Sequence, residues 1–347
     1  MDASAGAVTV ALDLMGGDHA PESVLAGAVL AVDEQPGVRI VLVGPEEVTG
    51  RLLARDGLTG CFGTAAATQV VTMEEDPARG VRAKRDASVR VACRLVRDGS
   101  ADAAVSVGST GAALASGLFT LGRLPGMSRP ALAAVVPARR GPLVLLDVGA
   151  TTEATPELLA QFALCGAAFA AVRLGLPEPR VGLLSVGAEP GKGDLLRKDA
   201  YDALARLPLD FVGNVEGGDV PEGGRADVVV CDGFTGNVLL KGLEGTASML
   251  TAVLREALTG APGGRDAAAW LLPAIDQATV ELTPEALGGA VLLGVGGVVV
   301  VGHGASSPRA VASCVRVAVQ AVREQLVPRL RTVLAGAPDR AAAGGSA

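Results

Sequence analysis

The chain has 347 residues, 49% of them hydrophobic, enough for a sizeable buried core in one large domain or two smaller ones. A formal charge of -7 excludes a general nucleic-acid binder, because a phosphate backbone is held by an excess of Lys and Arg. Only 2% of the residues are aromatic, so Val, Leu and Ala must fill the interior.

The opening "MDASAGAVTVALDLMGGD" has no basic segment ahead of an apolar run, which argues against a secretory signal. From there one theme repeats: a short run of Val, Leu and Ile stops at a glycine-bearing loop, and helical periodicity follows. The sequence predicts strands at 8–13, 38–44, 68–73, 101–108, 131–137, 142–149, 180–187, 210–215, 226–233 and 297–304. Near the C-terminus Val311, Val315, Ala318, Val322 and Leu326 form one helical stripe, with Arg316, Gln320 and Arg323 facing away. This alternation implies an α/β fold, a mostly parallel doubly wound sheet, with a cleft at the strand C-terminal ends. One large domain over 1–335, with room for two lobes, and a disordered tail at 336–347 are expected. The longest apolar stretch, "AVLLGVGGVVVV" at 290–301, is shorter than the roughly 18 to 20 residues a spanning helix needs. Five scattered cysteines without metal-ligand spacing fit reduced, mostly buried thiols in a cytoplasmic protein.

Five strand-end loops stand out: "DLMGGDHAP", "VGSTGA", "DVGATTEA", "SVGAEPGKGD" and "DGFTGNVLLK". One such loop is most simply a turn feeding a capped helix. Five in one chain, supplying Gly16, Gly17, Gly108, Ser109, Thr110, Gly111, Thr151, Lys192, Asn237 and Lys241, point to an anion or oxyanion site. Asn214, near the end of the 210–215 strand, joins this candidate set. Asp13, Asp147 and Asp232 each end an apolar strand and suit either loop bonding or a functional role. "GAEPGKGD" is not a P-loop, since Gly187 and Gly191 enclose three residues and Gly193 follows Lys192. A dinucleotide fingerprint and a Gly-x-Ser-x-Gly elbow are both missing from the sequence, so a dehydrogenase or serine hydrolase has little support.

His19 and His303 lie in glycine-flanked loops, and His303 is the better candidate because it follows a buried strand and precedes a helix start. Seven basic residues fall between Arg79 and Arg97; Arg82, Lys84, Arg85, Arg90 and Arg94 are candidates for docking an acidic partner. The segment 246–280 carries an apolar stripe at Leu250, Val253, Leu254 and Leu258 and then "AAAWLLPAI". It suits core or dimer packing, with a Trp270-Leu271-Leu272 tip as an alternative contact with a bilayer.

The order of "DLMGGDHAP", "GSTGA", "RPAL", "LLDVGA", "RVGLL", "GNVEGGDVPEG", "ADVVVCDGFTGNVLLKGLEG" and "HGASS" resembles the PlsX family of phosphate acyltransferases from about residue 7 to 327. The resemblance implies transfer of a fatty acyl group from acyl carrier protein to inorganic phosphate, giving acyl phosphate for phospholipid synthesis. It also implies an isocitrate-dehydrogenase-like fold, a homodimer, no metal or organic cofactor, and peripheral contact with the inner face of the membrane. In that reading Lys192, Asn237, Lys241 and His303 carry the chemistry, and the basic segment meets the carrier protein. An acyltransferase using acyl-CoA or a specialised carrier protein is the alternative, and a non-catalytic carrier-protein or membrane-binding paralogue another. Departures from the family pattern stand at Ser109, Thr151, Ser185 and Arg309, where amide side chains are usual. A hydroxyl at the first three loses reach and a second donor.

Overall fold

The computed structural model describes residues 6–260, 264–279 and 288–336. In chain order the elements are β1 (Val8–Asp13), α1 (Glu22–Glu34), β2 (Val38–Gly44), α2 (Glu46–Arg55), β3 (Gly63–Ala66), α3 (Pro77–Ala83), α4 (Ser88–Arg97), β4 (Ala103–Ser106), α5 (Thr110–Leu121), β5 (Ala131–Val136), β6 (Leu143–Leu146) and α6 (Pro156–Arg173). Then come β7 (Arg180–Ser185), α7 (Leu195–Ala205), β8 (Asp210–Glu216), α8 (Asp219–Glu222), β9 (Val228–Val230), α9 (Gly233–Gly260), α10 (Gly264–Thr279), β10 (Ala290–Leu293), β11 (Val298–Val301), α11 (Pro308–Arg323) and α12 (Leu326–Ala335). The expected tail beyond 336, and residues 261–263 and 280 of the apolar segment, lie outside the described residues.

The eleven strands of the described residues form one sheet in the order β3-β2-β1-β4-β11-β10-β5-β6-β9-β7-β8. Side chains alternate between its faces, so Val10 and Leu12 enter one core while Ala11 between them enters the other. Val24 and Leu25 of α1, Phe162 and Phe169 of α6, and Val311 and Val315 of α11 close the first face. Val81 of α3, Val89 of α4 and Ala112 of α5 help close the second. The layers are therefore α/β/α, as the alternation of strand and helix signals implies.

The sheet departs from the sequence reading in one respect that governs the site. Seven of its pairings are parallel, but β11 with β10, β10 with β5, and β5 with β6 are antiparallel. Three reversals leave β3, β2, β1, β4 and β11 running one way and β6, β9, β7 and β8 the other. The sequence-predicted loops therefore emerge from two edges of the sheet. The net reversal comes from the antiparallel pairing of β5 with β6; the two reversals at β10, where the apolar run 290–301 folds back as a hairpin at Gly294 (φ +88), cancel.

The expected strand at 68–73 is likewise replaced. β3 is Gly63–Ala66, paired in parallel with β2 from Val41 opposite Gly63. Over 68–73 side chains take several of the backbone groups a ladder would need: Lys84 Nζ donates to Val70 O (2.7 Å) and Thr72 N to Glu75 Oε1 (3.0 Å). Val71 is buried against α3 instead of in the sheet. The C-terminal stripe is also split, because Gln325, at φ 55, separates α11 from α12. Gln320 does not face away; its amide donates to Val172 O of α6.

Candidate active site

The first group of loops lies at the carboxyl ends of β1, β4 and β11. Asp13 ends β1 and is buried; its Oδ2 accepts from Ser106 Oγ (2.7 Å) and its Oδ1 from Met15 N (3.2 Å). Burial pushes its carboxyl above the ordinary range, against hydrogen bonds from Ser88, Ser106 and the loop backbone. Gly16 is needed here because an added Cβ would lie 2.8 Å from Asp13 Oδ2 and 2.9 Å from Gly108 N. Gly17 packs against the carbonyls of Val107 and Gly304, and Asp18 N donates to Gly304 O (2.8 Å), which ties in the β11 loop. On that loop His303 is exposed, and its Nδ1 accepts from Ala305 N (3.2 Å), so the neutral ring carries its proton on Nε2. His19, also exposed, has only its carbonyl engaged, by Ser23 N.

Between these loops and the 70–74 strip is a cavity of about 230 Å³. Asp13, Thr72, Glu74, Ser88, Ser106 and Ser109 supply its polar lining, with Val71, Met73 and Val89 among its apolar walls. Among the described residues no Lys, Arg or His lines it. Ser109 caps α5 by accepting from Ala112 N (3.4 Å), and Thr110 is exposed in the helix's first turn. Gly111 is explained by packing, since a Cβ there would sit 2.5 Å from Pro77 Cγ of α3.

The second group lies at the carboxyl ends of β6, β9, β7 and β8. Asp147, fully buried, organises the β6 loop: Oδ1 accepts from the amides of Leu132, Gly149 and Ala150, and Oδ2 from that of Thr151 (2.6 Å). Burial still pushes its carboxyl above the ordinary range. Thr151 is part of this frame, its hydroxyl donating to Pro130 O (3.0 Å) and its carbonyl accepting from Gly233 N (2.8 Å). A Cβ on Gly236 would overlap the Asp147 carbonyl, so α9 can begin there only with glycine. One residue on, Asn237 Nδ2 donates to Val148 O (2.9 Å) beside Gly149. Lys241 is exposed one turn further along the same helix face.

A residue the sequence reading missed joins these loops. Arg197, in the first turn of α7, is only 13% exposed and forms an ion pair with Asp232 at the end of β9. It also donates to Thr235 Oγ1 (3.0 Å) and to Asp194 Oδ2 (3.0 Å), and Asp194 caps α7 through Arg197 N. Burial raises the Asp232 carboxyl, but the Thr235 amide and hydroxyl and the Arg197 guanidinium outweigh it and hold the group below its ordinary range. The turn carrying Lys192 is thereby tied to the start of α9. Lys192 itself is exposed; its carbonyl accepts from Ser185 Oγ (3.3 Å). Asn214, buried on β8, donates from Nδ2 to Glu189 O of the same turn (2.7 Å), while its Oδ1 has no partner.

The candidate residues thus divide: Gly16, Gly17, Gly108, Ser109, Thr110 and His303 in the first group, Thr151, Lys192, Asn214, Asn237 and Lys241 in the second. The basic segment, carried by α3, α4 and the turn between them, borders the first group. Within it Lys84 pairs with Glu75 (2.5 Å), Arg94 pairs with Asp86 (3.1 Å), and Arg90 donates to Val81 O (2.7 Å). Arg82 lies over the Phe119 ring, 4.9 Å from its centroid, and Arg82 and Arg85 are exposed. Among the described residues no group of His, Cys, Asp and Glu could hold a metal ion, and no helix is long and apolar enough to cross a membrane. On α9 and α10, Met249, Leu250, Val253, Leu254 and Leu271 are exposed, and Trp270 is 84% exposed.

Two kinds of comparison place this arrangement. The fold is similar to a phosphotransacetylase from Streptococcus pyogenes, with a TM-score of 0.61 at 17% identity over 93% of this chain and 94% of that one. It is also similar to a branched-chain phosphotransacylase from Enterococcus faecalis V583, with a TM-score of 0.58 at 17% identity over 91% and 99%. In sequence, the phosphate acyltransferase of Desulfitobacterium hafniense (strain DSM 10664 / DCB-2) is 42% identical over 325 residues, 94% of this chain and 97% of the relative. That of Bacillus cereus (strain G9842) is 42% identical over 326 residues, 94% and 98%. A family model described as a fatty acid synthesis protein matches residues 8–329. With that coverage and identity, the chain belongs to the PlsX family of phosphate acyltransferases.

Proposed function

We propose that the protein moves a fatty acyl group from acyl carrier protein to inorganic phosphate, releasing acyl phosphate for phospholipid synthesis. The observation that carries this reading is the second loop group. There Asn237 and Lys241 share one helix face, and the Arg197–Asp232 pair ties the Lys192 turn to that helix. Two mobile ammonium groups and an amide over a braced frame suit a small tetrahedral anion.

The chemistry asks little of a general base. Inorganic phosphate, present in part as the dianion near neutral pH, attacks the thioester carbonyl; the new C–O bond gives a tetrahedral oxyanion whose collapse breaks the C–S bond, and the departing thiolate is a tolerable leaving group. Lys192 and Lys241 neutralise the nucleophile, and Asn237 donates to phosphate or to the tetrahedral oxyanion. Gly16, Gly17, Gly108, Ser109 and Thr110 line the opposite wall, with His303 placed to protonate the sulfur. Thr151 and Asn214 hold the frame.

Strand twist supports the meeting of the two walls in an isocitrate-dehydrogenase-like cleft. Five steps separate β4 from β9; at about 20–25° per step they add roughly 100–125°, leaving two edges that start 180° apart only about 55–80° apart. The exposed apolar face of α9 and α10 is the surface for a second subunit or a membrane. Incubation with acyl carrier thioester and phosphate, followed by hydroxylamine trapping, should yield acyl hydroxamate. Product from acyl-CoA alone points to the alternative donor, and no product from either points to a scaffold.

A further inference from the structure

We propose that the cavity between the β1 and β4 loops receives the amide-bearing arm of the thioester donor, with Asp13, Ser88 and Ser106 accepting from its N–H groups. The inference rests on the reading that the donor is a thioester carried on such an arm.

Charge is the first argument. The cavity is lined by two carboxylates, Asp13 and Glu74, and by no cationic side chain, so a phosphate dianion entering it would meet like charge without compensation. The same lining suits a neutral ligand that brings hydrogen-bond donors. Asp13 Oδ2 already accepts from Ser106 Oγ at 2.7 Å, and the Ser88 hydroxyl also acts on this carboxylate, favouring its charged form. With their protons turned toward Asp13, both hydroxyls present lone pairs to the cavity. Val71, Met73 and Val89 supply the apolar wall a short alkyl amide needs.

Size and position agree. At about 230 Å³ the space lies below the ~300–1,000 Å³ of sites that enclose a drug-sized ligand, so it admits one segment of an arm and not a whole cofactor. Ser88 and Val89 open α4, and the 70–74 strip leads into α3, so α3, which bears Arg82, and the α3–α4 turn, which bears Arg85, border the cavity. An acidic carrier resting on those exposed arginines would have its arm beside the opening.

The test is equilibrium binding of pantetheine, an uncharged arm with two amides, by calorimetry to the full chain. Losing the charged acceptor in Asp13→Asn should weaken pantetheine about tenfold or more and leave inorganic phosphate affinity within about twofold, which also reports an intact second wall. Met73→Trp, at a half-exposed position on the cavity, should weaken pantetheine as well; it decides the matter should Asp13→Asn fail to fold. Equal pantetheine affinity in wild type and variants, or a fall in phosphate affinity instead, would overturn the proposal. Pantetheine binding that depends on Asp13, in a protein that makes no acyl phosphate from any thioester, supports the cavity assignment and refutes the proposed reaction.

Discussion

Asp13 and Asp232 occupy equivalent places: each ends a buried, apolar, parallel strand at its carboxyl end, and each accepts a backbone amide and at least one hydroxyl. Only Asp232 has a cation against it. Burial acts in the same direction on both, yet Asp13 is pushed above its ordinary range while Asp232 is held below it. The Thr235 amide and hydroxyl, with the Arg197 guanidinium beside them, thus set the wall proposed for the anion apart from the wall proposed for the neutral arm. The chain's glycine-rich loops look alike in sequence and are made different by what faces them.

Removing that guanidinium should have the largest effect. Arg197→Met leaves Asp232 buried and unpaired, and chemical denaturation should record a loss of about 3–5 kcal/mol, with a raised KM for phosphate in whatever folds. Next are the donors themselves. Asn237→Ala and Lys241→Ala should each lower kcat/KM for phosphate by about 10²–10³, roughly 2.7–4 kcal/mol, with the melting temperature nearly unchanged for the exposed lysine. A fall of the same size for the acyl donor alone would reverse the assignment of the two walls.

The contrast has a pH signature. A carboxyl held below its unfolded value contributes stability above that value, near pH ~3.9, and loses it as the pH falls through the folded value. Asp232→Asn should therefore be less stable than wild type at pH 7, with the gap closing in acid. Asp13, raised in the folded state, contributes most at low pH and loses that contribution as the pH rises through its folded value. Asp13→Asn should match or exceed wild-type stability at pH 7 and lose that advantage as the pH drops, as urea midpoints across pH would report. The smallest effect belongs to the α5 cap: Ser109→Ala should cost about 1 kcal/mol. Replacing Ser109, Thr151 and Ser185 by Asn tests whether these departures set donor preference. Thr151, whose hydroxyl is committed to a buried carbonyl, should tolerate the change worst.

The strand-end loops and most strands were legible because short Val- and Leu-rich runs ending at glycine leave few alternatives. The division of those loops between two edges was not, since it turns on β5 and β6 pairing antiparallel where the repeated strand signals imply parallel neighbours; the β10–β11 hairpin was not legible either, because its two strands read as one apolar block. Arg197 was missed because an arginine in a polar helical stretch reads as solvated; the clue was Asp194 as a cap three residues earlier, with Asp232 needing a partner. Lys84 and Arg94 read as free charge for the opposite reason, their acidic partners lying in loops whose course the sequence does not reveal.

The hairpin also sets an order of assembly. β10 and β11 sit in the middle of the sheet, between β4 and β5, yet they are the last strands to be made. At about 5–20 residues per second, the ribosome needs roughly ten to thirty seconds after β5 to reach the end of β11. By the later part of that interval, once β9 is made, the nascent chain holds two incomplete half-sheets with bare facing margins, the period when it most needs shelter from other chains.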